Sequence, residues 1–369
     1  MKSGTRIGLN WSVFSNTASG AARRAFELHR RLTGAFDFVA FVNSKFPDEM
    51  KRQFPSFDFV EIAESRSFGS RTREFFSGFW RKQLLENECG LWITDTLPVP
   101  SGLGGVRTCI TIHDLRYLAS RRYVSMKRYV LMLMFMRGSL RRADSIIAVS
   151  RWTADRLKKE FPFSGGKTTV IPNAVSRGFP NPSETKGSLP DKAYILSVGH
   201  LERRKNFEVL VEAFAEIAGR WSGFLVLVGK DQGARDSVVL RAEELGISDR
   251  VVIREDVDFE TLNELYRECE LLVCPAKYEG FGMTVLEGMA AGKPVVASDI
   301  PPHREVGGTA CIYADPDNPA VFASAVMKIL SDNAFSVRLV EEGFERTKAF
   351  SWDRSAQQLG SLYNSLLER

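Results

Sequence analysis

The feature that most constrains this chain is an alternation of short β-rich runs with helical stretches, begun once, interrupted, and begun again. Arg6–Leu9, Phe38–Val42, Leu91–Thr94, Thr108–Ile112 and Ser145–Val149 read as buried strands. Ala21–Leu32, Val124–Leu140 and Trp152–Glu160 read as the helices among them. Pro180–Pro190, rich in Pro, Ser and Gly, breaks the pattern and reads as a linker. The alternation resumes with strands at Tyr194–Val198, Phe224–Val228, Val251–Arg254, Leu271–Cys274 and Val295–Ala297. Helices at Phe207–Ala218, Leu262–Glu268 and Thr284–Ala291 lie among these. A last helix, Trp352–Leu367, follows Ser351, an N-cap residue type. Strands that alternate with helices must pair in parallel through right-handed crossovers, because helices then cover both faces of the sheet. The expectation is an α/β protein of two doubly wound domains, residues 1–180 and 191–350. Residues 351–369 form a C-terminal helix that packs back on the first domain. Ligands of such sheets bind outside the carboxyl ends of the strands.

Length agrees with two domains, because 369 residues exceed what one hydrophobic core usually serves. No run of 18 apolar residues suggests a spanning helix, and residues 1–10 lack the apolar centre of a signal peptide. Five cysteines without a CxxC pair read as free buried thiols of a reducing compartment. The expected location is therefore cytoplasmic. Charge divides unevenly: residues 1–190 carry 30 basic against 16 acidic side chains, net +14, and residues 191–369 carry 20 against 29, net −9. By charge alone the first half should face something anionic, nucleic acid or else an anionic membrane surface or a lipid-pyrophosphate acceptor, the plain alternative being a solvated basic surface; a nucleic-acid partner is not expected. Arg66–Lys82, where Arg71, Arg73, Arg81 and Lys82 mix with Phe75, Phe76, Phe79 and Trp80, is the membrane candidate, at the inner face of the cell membrane. Residues 130–136 are too continuously apolar for an interfacial face and read as core helix.

The chemistry concentrates in Pro275–Ser298, which leaves a strand, crosses a glycine-bearing turn and enters a helix. The backbone amides of Gly282, Met283, Thr284 and Val285 would stand at the helix N-terminus, an anion site. Glu279 precedes the turn and Glu287 lies one turn inside the helix. A diphosphate over the turn would bring Glu279 toward sugar hydroxyls and Glu287 toward a ribose diol, since a carboxylate accepts two hydroxyl hydrogen bonds. Taken singly, the two glutamates read as a loop charge and a helix-surface charge.

This segment resembles the E-x7-E signature of the retaining GT-B glycosyltransferases of family 4 (glycosyl transferases group 1), with a mannosyltransferase-like pattern. Ser197–Ala213 resembles the family's strand–loop–helix with a phosphate-binding lysine. Thr111–Leu115 resembles the strand end that brings a histidine into the cleft. Ser145–Leu157 and Val170–Ala174 resemble the approach to the interdomain linker. The resemblance implies the GT-B fold, two Rossmann-like domains facing each other across a cleft. It implies a nucleoside-diphosphate sugar donor, first of all GDP-mannose, and a saccharide or lipid-linked acceptor. It assigns Lys205 to the donor pyrophosphate, His113 to the transferred sugar, and Gly20 to a small-residue loop near the phosphates. Where the family often has an arginine, this chain has His200, and Arg204 is the alternative phosphate contact. His113, Glu279 and Lys205 are thus the expected catalytic residues, with retention of configuration.

No metal or other cofactor is expected. Asp256–Asp258 and Asp315–Asp317 fit D-x-D, but the pattern is loose and neither pair falls at the E-x7-E turn. Other readings on the same fold are a sugar-nucleotide epimerase, a sugar phosphorylase and a non-catalytic nucleotide-sugar-binding module. The first would need more acid–base groups, the second would use free phosphate, and the third would lose the charged residues that this chain keeps.

Overall fold

The structure, a computed structural model, describes residues 6–14, 19–62, 78–95, 98–119, 126–176, 179 and 193–368. The chain divides into two compact units, Met1–Asn173 with Trp352–Arg369, and Ala174–Ser351. Each holds one parallel sheet.

In the first unit the strands are β1 (Arg6–Asn10), β2 (Phe38–Val42), β3 (Asp58–Glu61), β4 (Cys89–Thr94), β5 (Arg107–Ile112), β6 (Ser145–Ala148) and β7 (Thr168–Val170). Their order is β3-β2-β1-β4-β5-β6-β7. The interior strand β2, FVAFV, is buried at every position, as a strand covered on both faces must be. The sequence reading missed β3 and β7, both at the sheet's edges, where half-exposed short strands need no continuous apolar run. Between β1 and β4 the strand order reverses, so the connections from these neighbours leave on opposite sides and open a crevice at their carboxyl ends.

The helix Gly20–Arg31 follows β1. Ser19 caps it, its side chain accepting from Ala22 N at 3.2 Å. Its inner face meets the C-terminal helix Trp352–Leu367, which buries Trp352, Ala356, Leu359, Tyr363 and Leu366. Each large apolar side chain so buried is worth about 1.5–3 kcal/mol. Polar contacts fix the register. His29 Nδ1 donates to Ala25 O at 2.7 Å, and its Nε2 accepts from Tyr363 Oη at 2.9 Å. Ser355 Oγ donates to Pro172 O at 2.9 Å, and Arg31 Nε meets Asp353 Oδ1 at 2.7 Å.

The helix Met126–Arg142 corrects one expectation. Met136 and Leu140 are buried, but Met126, Val130 and Met134, four residues apart on one stripe, are 55, 45 and 60% exposed. The run is apolar on more than one face because the helix keeps an apolar stripe outside the core. Phe75 and Phe76 lie outside the described residues. Of their neighbours, Phe79 is half-buried and Trp80 is buried against Phe41 and Trp92, so Trp80 belongs to the core.

In the second unit β8 (Tyr194–Val198), β9 (Phe224–Val228), β10 (Val251–Arg254), β11 (Leu271–Cys274), β12 (Val295–Ser298) and β13 (Cys311–Ala314) stand in the order β10-β9-β8-β11-β12-β13. The reversal here falls between β8 and β11. The core gathers the helix Phe207–Ala218, the sheet and the helix Pro319–Ser331. Helix Met283–Ala290 approaches β11 at Gly288, where a Cβ would stand 2.6 Å from Leu272 Cδ2. The five cysteines are free and buried.

Burial pushes the His29 imidazole down to about 4, against the favourable Ala25 carbonyl. As pH falls, the unfolded chain therefore takes up this proton first, near 6.5, and stability is lost from about pH 6.5 to about pH 4 at up to roughly 1.4 kcal/mol per pH unit. Urea denaturation at pH 7 and pH 5 should show a shallower pH dependence for His29→Gln than for the parent; equal slopes would assign the loss elsewhere. At pH 7, Tyr363→Phe leaves Nε2 unpaired and should cost about 1–3 kcal/mol.

Candidate functional site

Sequence places one charged cluster directly over the crevice of the second sheet. After β8 the chain passes Gly199 and a single turn, Arg203–Lys205, before Asn206 enters the helix Phe207–Ala218. Asn206 takes a left-handed conformation (φ 60°) and donates to Pro275 O at 3.0 Å and Pro316 O at 2.7 Å, so it ties this turn to the segment after β11. That segment carries Glu279. Lys205 Nζ donates to Glu279 Oε1 at 2.5 Å, and Arg204 Nη1 lies 3.3 Å from Glu279 Oε2. Arg204 also meets Glu202 at 2.6 Å and donates to Tyr278 O at 3.1 Å. Burial works against the Glu279 charge, but Lys205 and Arg204 outweigh it and hold the carboxyl down to about 2. Cation and carboxylate thus come from the two strands that flank the switch point.

Beside them, Gly282 begins the helix Met283–Ala290 with φ 103°, a left-handed conformation that suits glycine. A Cβ there would also stand 3.1 Å from His303 Cδ2. Leu286 N bonds back to Gly282 O at 3.3 Å, so the amides of Met283, Thr284 and Val285 fall in the first turn, where an α-helix gives them no partner. One turn on, Glu287 is 8% exposed and accepts from Tyr266 Oη at 2.9 Å. Tyr266 is itself buried and packs edge-on against Phe179. His200 is exposed after β8; burial and the charges of Lys205 and Arg204 lower its imidazole below the ordinary value, against Glu202.

Sequence reasoning missed Tyr266 and His303. Tyr266 sits in a helix with no motif around it. His303 is fully buried, with Nδ1 donating to Ser298 O at 3.1 Å, and burial lowers its imidazole to about 4. The D-x-D pairs have structural work. Asp258 caps the helix Phe259–Glu268, accepting from Thr261 N at 2.7 Å, and Asp317 pairs with Lys277 at 2.5 Å.

In the first unit His113 follows β5 and Gly20 opens the helix after β1, so both stand at carboxyl ends of strands. Residues Thr17 and Ala18 of the same loop lie outside the described residues. His113 Nε2 lies 3.4 Å from Asp95 Oδ1, at the end of the neighbouring strand β4. Asp95 was not singled out from sequence, because only the pairing of β4 with β5 brings it beside His113. Its carboxyl is lowered despite burial by His113, Thr111 and Arg24. Asp114 serves locally, accepting from Arg116 N at 3.1 Å.

Comparison with known proteins places the chain in a family. The model of Glycosyltransferase Family 4 matches residues 18–178, and that of Glycosyl transferases group 1 matches residues 181–346. The chain is 34% identical over 188 residues to an uncharacterised glycosyltransferase of Methanocaldococcus jannaschii, which covers 49% of this chain and 47% of the relative. It therefore spans about half the length of that relative. It is 28% identical over 270 residues to the O-antigen chain mannosyltransferase B of Escherichia coli, covering 70% and 71%. Sucrose-phosphate synthase of Thermosynechococcus elongatus matches the fold with a TM-score of 0.77 over 99% of both chains, at 23% identity. One family model thus takes up β2 to β7 of the first sheet and the other the second sheet, and the chain belongs to the glycosyltransferases of family 4 and group 1, with the two Rossmann-like units of the GT-B class.

Proposed function

We propose that this glycosyltransferase is a retaining, metal-independent hexosyltransferase. It moves a sugar, mannose in the first instance, from a nucleoside-diphosphate donor to a saccharide or lipid-linked acceptor in surface polysaccharide or glycolipid synthesis. The observation that carries the reading is the cluster of Lys205, Arg204 and Glu279 beside the N-terminus of the helix Met283–Ala290. Two cations and a set of helix amides neutralise a departing diphosphate, charge that develops in the transition state. Glu287, held by Tyr266, takes the ribose diol. Glu279 and His113 orient the transferred sugar. Among the described residues no side chain is assigned as the nucleophile of a double displacement, so transfer proceeds on one face of the sugar through an oxocarbenium-like state. The leaving phosphate oxygen takes the acceptor's proton. Likeness to an O-antigen mannosyltransferase supports mannose and a surface-polysaccharide acceptor.

The basic first half meets an anionic bilayer, at the inner face of the membrane. Residues 121–143 contain no acidic side chain. The exposed stripe Met126, Val130 and Met134 continues toward exposed Arg137 and Arg141. Apolar side chains among basic ones suit an anionic membrane surface. This face complements the Arg66–Lys82 stretch, most of which lies outside the described residues.

Lys205→Ala should keep its fold and lose turnover by about two orders of magnitude, the usual effect of removing a charge-stabilising group at a leaving oxygen; a folded variant with near-normal activity would exclude Lys205. Calorimetry should separate the glutamates. Glu287→Gln weakens binding of the bare nucleoside diphosphate, whereas Glu279→Gln leaves it bound and lowers turnover of the sugar donor. Equal losses of diphosphate affinity would contradict the assigned roles. For His200, whose imidazole is held below its ordinary value, donor affinity should rise as pH falls through that lowered range, where the imidazole gains its proton. His200→Arg flattens that dependence, and an unchanged profile removes His200 from the phosphates. Finally, the protein should cosediment with anionic vesicles at low salt and less at high salt, each basic contact contributing about 1 kcal/mol. Serine at Met126, Val130 and Met134 should weaken that binding without lowering donor affinity. Absence of vesicle binding in both salts would refute the membrane contact alone.

A further inference from the structure

Two side chains 21 residues apart are buried together in the second unit, and each meets a need of the other. Tyr266, on the helix Phe259–Glu268, is fully buried. A phenol hydroxyl taken out of water keeps a hydrogen-bond partner. Glu287, 8% exposed, carries a carboxylate whose burial is costly unless donors face it. Tyr266 Oη donates to Glu287 Oε2 at 2.9 Å and answers both needs. A neutral hydroxyl orients a carboxylate without supplying a countercharge, unlike the cations that hold Glu279.

Both ends of this bond are held in place. On the tyrosine side, Tyr194 Oη from β8 donates to Leu265 O at 3.0 Å, and Cys269 Sγ donates to Tyr266 O at 3.4 Å. The Phe179 ring lies edge-on to the phenol, with centroids 5.3 Å apart and planes at 68°, and confines it. On the glutamate side the backbone is fixed at the next residue. Gly288 sits so close to the sheet that a Cβ there would stand 2.6 Å from Leu272 Cδ2 and 2.9 Å from Val295 Cγ2. What the backbone leaves open is the side-chain torsions of Glu287, and the tyrosine bond closes them.

We propose that Tyr266 is a positioning residue through which the site selects ribonucleoside over deoxyribonucleoside diphosphates. The proposal rests on the reading of Glu287 as the ribose-facing group. A ribose diol offers two hydroxyl donors side by side, and a carboxylate fixed in one orientation accepts both at once. The Tyr266 bond takes up one of the roughly four acceptor sites of the carboxylate and sets the direction of the rest. A 2′-deoxyribose lacks one donor and leaves a buried acceptor unpaired, which is where discrimination arises. A carboxylate able to turn must be ordered on binding, which weakens the diol complex most because that complex makes the most bonds.

Calorimetry with GDP and 2′-deoxy-GDP, and with UDP and 2′-deoxy-UDP, gives a ratio of affinities for whichever base the parent binds more tightly. In the parent the ratio should favour the ribonucleotide by about 10- to 100-fold, the usual contribution of one hydrogen bond to a charged group. Tyr266→Phe keeps the ring against Phe179 and removes only the hydroxyl. Its affinity for the ribonucleotide should fall about fivefold with little change for the deoxy form, so the ratio shrinks by the same factor. A residue that merely supports the fold would lower both affinities together, so an unchanged ratio in folded Tyr266→Phe overturns the proposal. Where that variant does not fold, Phe179→Leu, which loosens the phenol and keeps apolar packing, is measured in the same way. A smaller ratio then supports the positioning role, and the parental ratio overturns it. Glu287→Gln keeps a carbonyl oxygen for Tyr266 but replaces an acceptor with a donor, and should bind the two forms alike. A Glu287→Gln that keeps the parental ratio, or a parent without discrimination, refutes the ribose reading and the proposal with it. A ratio lost in Glu287→Gln and kept in Tyr266→Phe refutes the role of Tyr266 alone.

Discussion

The constraint on which the rest depends is that parallel strands cannot be joined without a crossover, and that crossovers on either side of one pair of strands must leave in opposite directions. In the second sheet that pair is β8 and β11. The loop after β8 delivers Lys205 and Arg204, and the loop after β11 delivers Glu279, so residues 74 apart in sequence meet at 2.5 Å. In the first sheet the pair is β1 and β4. The loop after β1 leads to Gly20, β4 ends at Asp95, and β5 adds His113. The same rule acting twice on unrelated sequences puts chemistry-bearing side chains at strand ends twice.

A buried charge is costly, and each sheet meets that cost differently. In the second unit one carboxylate faces two cations at 2.5 and 3.3 Å, which keeps the Glu279 carboxyl ionised despite its burial. On the proposed reading, a diphosphate arrives as a second anion for Lys205 and Arg204, and releases Glu279 toward the sugar. In the first unit the carboxylate Asp95 lies 3.4 Å from the half-buried His113 imidazole, and the buried guanidinium of Arg24 lines the same small cavity. There the cation is locked to Asn173 and cannot follow a ligand. One cluster is built for exchange of partners and the other for holding a partner still.

Sequence made the fold legible because nearly all the central strands are continuous apolar runs, and the run is what burial on both faces demands. It failed at β3, β7 and β13, three of the four edge strands, short segments that carry no continuous apolar run, while the apolar edge strand β10 was legible. Within the site, Lys205, Glu279, Gly282 and Glu287 were legible since they fall in short contiguous stretches around a turn. Tyr266, His303, Asp95 and Arg24 were not. Each acts on a residue far along the chain, and nothing local distinguishes a tyrosine that orients a carboxylate from one that fills a core. The exposed stripe of Met126, Val130 and Met134 was misread for the converse reason, since an apolar run carries no mark of which stripe the fold will leave uncovered.

The C-terminal helix shows how packing and polar contacts divide their labour. Its apolar face would bury about as well one turn further along the helix Gly20–Arg31, since area is non-directional. The Tyr363 hydroxyl admits only one register, because it must meet His29 Nε2, whose other nitrogen is already committed to Ala25 O. That register brings Tyr363 and Leu359 to the cavity shared by Arg24 and Asp95, and closes it. Leu359 and Tyr363 of this helix therefore complete the wall of the cavity that Asp95 also lines.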